Sequence, residues 1–276
     1  MGKWDEGLTL SWPSLPVALG QRCNFGCPYC WTTAWAARQI AELERTGALW
    51  SVADVEEASA SVYHRYGAIR WLIGGPEPTQ CLEALAALGR HHDLAVCTNL
   101  SFDPATVADR IGHRAEFAVS YHPTEWRSLE EFTARYLACH ELGLRVEEVS
   151  IVAWPPFLPE LADWVKGLQA AGITVALHQF QGQHKGLRYP GAYTDEQRRL
   201  IGATGVGASR PTHWQGRCRA GQVFAMVAAN GDVFRCPNDP EVLGNVKAEI
   251  NWHTEPQPCR AASCTCYALR GLRCPE

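Results

Sequence analysis

Cys23-Asn24-Phe25-Gly26-Cys27-Pro28-Tyr29-Cys30 is a C-x3-C-x2-C run that puts three thiols on one short loop. Thiolates hold iron–sulfur clusters, and a four-iron cubane takes four of them. The next cysteine, Cys81, is far along the chain, so the spacing implies a cluster whose last iron is open to something other than protein. Structural zinc is the alternative, but its sites are closed by paired C-x2-C or Cys/His motifs.

The chain carries 12 cysteines. Cys81, Cys97 and Cys139 are scattered, while Cys218, Cys236, Cys259, Cys264, Cys266 and Cys274 crowd the far end. Asn230-Gly231 lies between the apolar runs Val223–Ala228 and Val233–Cys236, a strong hairpin signal. A hairpin joins its ends, so Cys218 and Cys236 are expected side by side. Two metal sites, one at each end, fit this distribution better than structural thiols. At the far end, four cysteines in two pairs also suit tetrahedral zinc.

Between these regions strand and helix patterns alternate. Leu15–Leu19 reads as the strand leading into the cysteine loop. Ser51 reads as an N-cap with Asp54 at N3, opening a helix to Tyr66. Strands over Ala68–Ile73, Leu94–Thr98, Glu116–Ser120, Val146–Val152 and Ile173–Phe180 alternate with helices over Thr79–His91, Pro104–Gly112, Ser128–Leu142 and Pro159–Ala171. Six strands in this order predict an α/β fold with a parallel sheet, either a partial (β/α)6 barrel or an open doubly wound sheet. In both, chemistry gathers at the carboxyl ends of the strands. There lie Gly74-Gly75-Pro76-Glu77-Pro78, Cys97-Thr98-Asn99, Ser120-Tyr121-His122, and a polar group of His178, Gln179, Gln181 and His184. A helix over Thr194–Leu200 and a linker over Gly202–Gly207 follow.

A formal net charge of −4 implies no broad basic surface, which argues against nucleic acid as a partner. No apolar run is long enough for a membrane span, and the first sixteen residues lack a secretory pattern. The chain reads as cytoplasmic, where thiols stay reduced and a disulfide framework is not expected.

The cysteine run, with aromatic Tyr29 before its last cysteine, resembles the hallmark of the radical S-adenosylmethionine (radical SAM) enzymes. The resemblance implies a partial (β/α)6 TIM-like barrel over residues 1–190. It implies Cys23, Cys27 and Cys30 as ligands of a 4Fe-4S cluster whose open iron chelates S-adenosylmethionine. The reduced cluster then yields a 5′-deoxyadenosyl radical that abstracts hydrogen from a substrate. The Tyr29 backbone would lie near the adenine, and Gly75 and Glu77 look like the family's G-G-E-P motif, which holds the methionine amine. Pro76 departs from that motif and removes one backbone donor. Thr98, Asn99 and Ser120 occupy places where the family uses polar side chains on ribose or carboxylate.

The far end, with C-x-A-G, N-G-D-V-x-x-C and G-N-V segments, resembles the SPASM/Twitch extension. This implies a small hairpin-plus-helix domain over 217–276, after a helix and linker over 191–216, and one auxiliary 4Fe-4S cluster. Its ligands would be Cys218, Cys236 and two of Cys259, Cys264, Cys266 and Cys274, with the first three of these favoured. The expected activity is oxidation or epimerisation of a small polar molecule such as a sugar, aminoglycoside or nucleoside. Maturation of a ribosomal peptide is the alternative, and a non-catalytic electron carrier is the rival from another class. The first strand begins close to the first residue, which favours the small molecule over a peptide. A flavodoxin or ferredoxin is the expected electron donor. Cys97, at a strand end, is the candidate catalytic thiol, because an S–H bond can return hydrogen to a carbon radical. Cys81 and Cys139 read as small core residues.

Overall fold

The computed structural model describes residues 7–18, 22–30, 32–202, 216–261 and 271–274. In chain order the elements are β1 (Thr9–Trp12), α1 (Thr32–Thr46), α2 (Val52–Tyr66), β2 (Arg70–Ile73), α3 (Leu82–Gly89), β3 (Asp93–Thr98), α4 (Pro104–Arg110), β4 (Ala115–Ser120), α5 (Leu129–Glu141) and β5 (Arg145–Ala153). There follow α6 (Leu161–Ala170), β6 (Val175–Gln179), β7 (Gly182–His184), β8 (Leu187–Tyr189), α7 (Asp195–Gly202), β9 (Arg217–Cys218), β10 (Phe224–Val227), β11 (Asp232–Cys236), β12 (Asp239–Asn245) and β13 (Gln257–Pro258). The fold is mixed α/β with many parallel strand pairs. Among the described residues no helix is long and apolar enough to cross a membrane.

The chain divides into two compact units. The first holds the described residues of Met1–Cys23, Thr32–Cys97 and Arg210–Glu276. Its strands run in the order β12-β11-β10-β1-β2-β3. β1 is central, parallel to both β10 and β2. Trp12 and Trp71 are fully buried and stack at 5.3 Å, with Trp50 edge-on to Trp12. Such rings bury large apolar areas and dominate core energetics. α2 begins with a capping box, in which Ser51 Oγ accepts from Asp54 N–H while the Asp54 carboxylate accepts from Ser51 N–H. Lys247 donates to Asp54 and Glu57 and lies over the Trp50 ring, tying the segment after β12 to α2.

The second unit holds Asn24–Trp31 and the described part of Thr98–Ser209. β4, β5 and β6 pair in parallel, and β7 and β8 form a separate antiparallel hairpin. Phe117, Phe132, Val149, Ile151 and Leu177 fill its core.

Several expectations change. Leu15–Leu19 is not the first strand: residues 15–18 form bends and a turn, and β1 lies at Thr9–Trp12. Pro16 has no N–H to donate, and a strand flanked on both sides excludes proline. Leu15 and Val17 are buried nonetheless, which explains their apolar character. α1 has no acidic first turn to announce it, although its composition of Ala, Arg, Gln, Glu and Leu favours helix. β12 contains Pro240 and Gly244, which mask a strand in sequence and are tolerated because it lies at the edge.

The boundaries at 190 and 216 do not match the compact units, because β10 from the far end pairs along β1. Residues 203–215, which include most of the expected linker, and the stretch 262–270 lie outside the described residues.

Candidate functional site

Two residues beyond β3 hold the cysteine loop within the second unit. Asn99 Nδ2 donates to Asn24 Oδ1 at 3.1 Å, and Ser101 Oγ reaches the same oxygen at 3.3 Å. Asn99 Oδ1 accepts from Ser101 N–H, and Thr98 Oγ1 accepts from Leu100 N–H. These local bonds accompany Leu100 at φ 63, a conformation costly for a bulky residue. Thr98 and Asn99 are both 4% exposed. From beyond β4, Glu125 accepts from Gly26 N–H at 3.1 Å.

The middle of the loop packs on aromatic rings. Tyr29 is buried, stacked on His122 and in ring contact with Trp154 and Phe157. His122 Nδ1 lies 2.9 Å from Tyr29 Oη and 3.4 Å from Cys27 Sγ. Burial holds the His122 imidazole down to about 4, so it is neutral at pH 7. Burial and the Glu125 charge push the Cys27 thiol up to about 11, and burial raises Tyr29 as well. Bonding to a metal cation deprotonates such a thiol outright.

The remaining expected residues separate by unit. In the second, Ser120 at the end of β4 sits opposite Ser150, whose Oγ lies 3.0 Å from His178 Nε2. His184 packs edge-on to Trp154, beside a cavity of about 320 Å3 lined by Pro155, Pro156, His184, Lys185, Leu187 and Tyr189. In the first unit, Cys23 is partly exposed and Cys97 is exposed at the end of β3. Cys81 and Cys139 are buried, as core residues.

Gly75 has φ 121, and a Cβ there would lie 3.2 Å from Ser14 Cα and Oγ, so the backbone approaches residues 13–14 too closely for a side chain. Glu77 is fully buried, and its carboxylate caps the short helix Pro78–Cys81 by accepting from Thr79. A capping role was not read from the sequence, although Glu77-Pro78 is an N-cap followed by proline at N1.

At the far end, Cys236 packs against a buried cluster of Cys218, Ala220, Phe224 and Leu272. The Arg217–Cys218 strand pairs with β13 on one side and makes an isolated bridge on the other. Gln257 faces Cys218 across the ladder, and Cys259 N–H donates to Gly216 O. On the other side Arg273 bridges Cys218, and Cys274 N–H donates to Arg217 O. Side chains alternate along a strand, so Cys259 falls on the face of Cys218 and Cys274 on the opposite one. Cys264 and Cys266 lie outside the described residues.

Among the described residues no three His, Cys, Asp or Glu side chains form a ready-made metal cage. The donor sets nonetheless fit iron–sulfur ligation by their chemistry. Each is built from thiols rather than from the oxygen ligands of hard cations, and the ten described cysteines form no disulfide.

No family model and no curated protein matches this chain. Among solved structures it is similar to anSMEcpe, an anaerobic sulfatase-maturating radical SAM enzyme. Native anSMEcpe with bound AdoMet aligns at a TM-score of 0.55 and 13% identity, over 88% of this chain and 79% of that one. The complex with AdoMet and the Cp18Cys peptide gives 0.54 and 11%, over 88% and 79%. The complex with the Kp18Cys peptide gives 0.55 and 12%, over 88% and 78%. This likeness shows the α/β fold.

Proposed function

We propose that this chain is a radical SAM enzyme that oxidises or epimerises a peptide substrate. The observation that carries the reading is the C-x3-C-x2-C loop, latched by Asn99 and Glu125 and packed on His122, Trp154 and Phe157. The fold likeness to an enzyme that binds AdoMet supports it. When bound, a reduced 4Fe-4S cluster and S-adenosylmethionine supply a hydrogen-abstracting radical, with an electron from a flavodoxin or ferredoxin.

The chain's own residues hold and shape that site. Cys23, Cys27 and Cys30 are the proposed ligands. Asn99 and Glu125 hold the loop, while His122, Trp154 and Phe157 pack around Tyr29 and His122 reaches the middle thiol. Gly75 lets the backbone after β2 come close to residues 13–14. Thr98 and Ser120 line the proposed S-adenosylmethionine site, and Glu77, in the first unit, holds the turn after β2 by capping Pro78–Cys81. Cys97, exposed at the end of β3, is the proposed thiol that returns hydrogen where the product is inverted. Cys218, Cys236 and Cys259, with Cys264 or Cys266, are proposed to hold an auxiliary 4Fe-4S cluster, an electron acceptor where the product is oxidised.

The sequence led to a small polar substrate. A peptide is the better-supported reading, because two of the similar structures hold peptides. The cavity between Pro155 and Tyr189, within the size range of ligand sites, is the proposed place for a substrate side chain.

Anaerobic reconstitution tests the reading. Wild type should take up about eight irons, one cubane per site, and the Cys23/Cys27/Cys30→Ala variant about four. That variant should no longer cleave S-adenosylmethionine. Stoichiometric zinc without iron would overturn the proposal, and iron without cleavage would favour an electron carrier. With deuterated substrates, label should reach 5′-deoxyadenosine from a peptide. Label from a sugar, aminoglycoside or nucleoside alone would restore the small-molecule reading.

A further inference from the structure

Arg235 is 2% exposed and spends four N–H donors on three separate segments. Its Nε donates to Ala220 O at 3.0 Å, two residues after Cys218. Nη1 and Nη2 donate to Pro258 O at 2.8 Å and Gln257 O at 2.9 Å, immediately before Cys259. Nη1 also pairs with Asp239 at 2.9 Å, three residues after Cys236. Asp239 in turn receives Arg260, the residue after Cys259. Arg235 itself precedes Cys236, where the β11–β12 register shifts between Phe234 and Cys236. Alternation along β11 puts Arg235 on the buried face with Val233.

We propose that Arg235 is the positioning residue that ties together the three backbone segments carrying Cys218, Cys236 and Cys259. The metal identity rests on the auxiliary-cluster reading above; the gathering does not.

The ladder alone is too weak for this. β9 and β13 pair over only two residues each, and Pro258 has no N–H to contribute. The guanidinium fork supplies what the ladder lacks, because its planar donors fix the two carbonyls just before Cys259 relative to that of Ala220. A buried ion pair is often no more stabilising than apolar residues of the same volume. An apolar side chain would therefore fill the space, but it would hold none of these carbonyls in register. Gly221 completes the arrangement, since a Cβ at its φ of 85 would lie 3.1 Å from Arg235 Cγ and closer still to His253.

The test uses the full chain with Arg235→Met and Arg235→Lys. In the metal-free protein, dibromobimane bridges thiols that lie side by side, and peptide mapping identifies the Cys218–Cys236 product. The Met variant should lose at least about tenfold in bridging yield, because all four hydrogen bonds go and a single charge-assisted one already corresponds to about that factor. After reconstitution it should hold about four irons rather than eight while still cleaving S-adenosylmethionine. The Lys variant keeps the charge without the fork and should fall between. Wild-type bridging and iron content in the Met variant would overturn the proposal. If that variant does not fold, wild-type values in the Lys variant would overturn it equally. Bridging that depends on Arg235 in a protein taking up only the first cluster would uphold the positioning role and remove iron from the far site.

Discussion

Asn99 shows how a polar residue at a strand end acts through the loop it holds. Both ends of its amide are used, one on Asn24 of the cysteine loop and one on Ser101 N–H. Asn99→Ala should cost about 1–2 kcal/mol, the usual loss of such bonds. It should also slow iron uptake at the first site while the far site fills normally, which a time course of reconstitution would show. Cys97 makes a different prediction. Cys97→Ala should still form 5′-deoxyadenosine, and if the product is an inverted peptide that product alone should disappear. An oxidised product at the wild-type rate would leave Cys97 without a catalytic role. Asn99 was found in the sequence as a polar residue after a strand. Its partner Asn24 was not, because 75 residues separate them and only the fold brings them together.

At the scale of elements, His92 joins three of them. Its Nδ1 accepts from Ile69 N–H before β2, and Nε2–H donates to Ser59 O of α2, with the ring fully buried at the start of β3. Burial is the main influence and holds its pKa below the ordinary histidine value; the bond to Ser59 and the Asp93 charge oppose this in part, and His91 adds to it. The unfolded chain takes up a proton near pH 6.5 and the folded one only at lower pH. Stability from a neutral His92 is therefore complete above about pH 6.5 and is lost as pH falls through the folded value. His92→Leu should lower stability at pH 8 by about 1–3 kcal/mol, the Ile69 N–H being left without its partner. It should also flatten the decline below neutrality, measured by denaturant unfolding across pH 5 to 8. The ion pairs of Lys247 are half-exposed, and Lys247→Ala should cost less than about 1 kcal/mol in the same assay. The capping box of α2 was legible in sequence because it spans four residues. β1 was not, since its four-residue T-L-S-W pattern competes with the more apolar Leu15–Leu19 next to it.

For the molecule as a whole, the far end is part of the first unit's sheet. β10 lies beside β1, so a chain cut after residue 215 would expose the backbone donors and acceptors of β1 along one side. That fragment should aggregate or lose cooperative unfolding. A soluble fragment with a sharp thermal transition would mean that the extension is an appendage after all. The same pairing explains why Trp50, Asp54 and Glu57 meet Lys247, and why Tyr66 exchanges hydrogen bonds with the backbone of Ile250.

What the sequence by itself determined was local: the spacing of Cys23, Cys27 and Cys30, the Ser51 cap, the alternation of strands and helices, and the Asn230-Gly231 hairpin of β10 and β11. Each depends on residues close in the chain or on a turn whose geometry its own residues dictate. The tertiary structure decided which strand lies beside β1, where Asn99 and Arg235 find their partners, and which face carries Cys259. These depend on pairing register and on buried carbonyls seeking donors from distant segments. Such partners are set by the whole packing at once, so spacing along one chain does not reveal them.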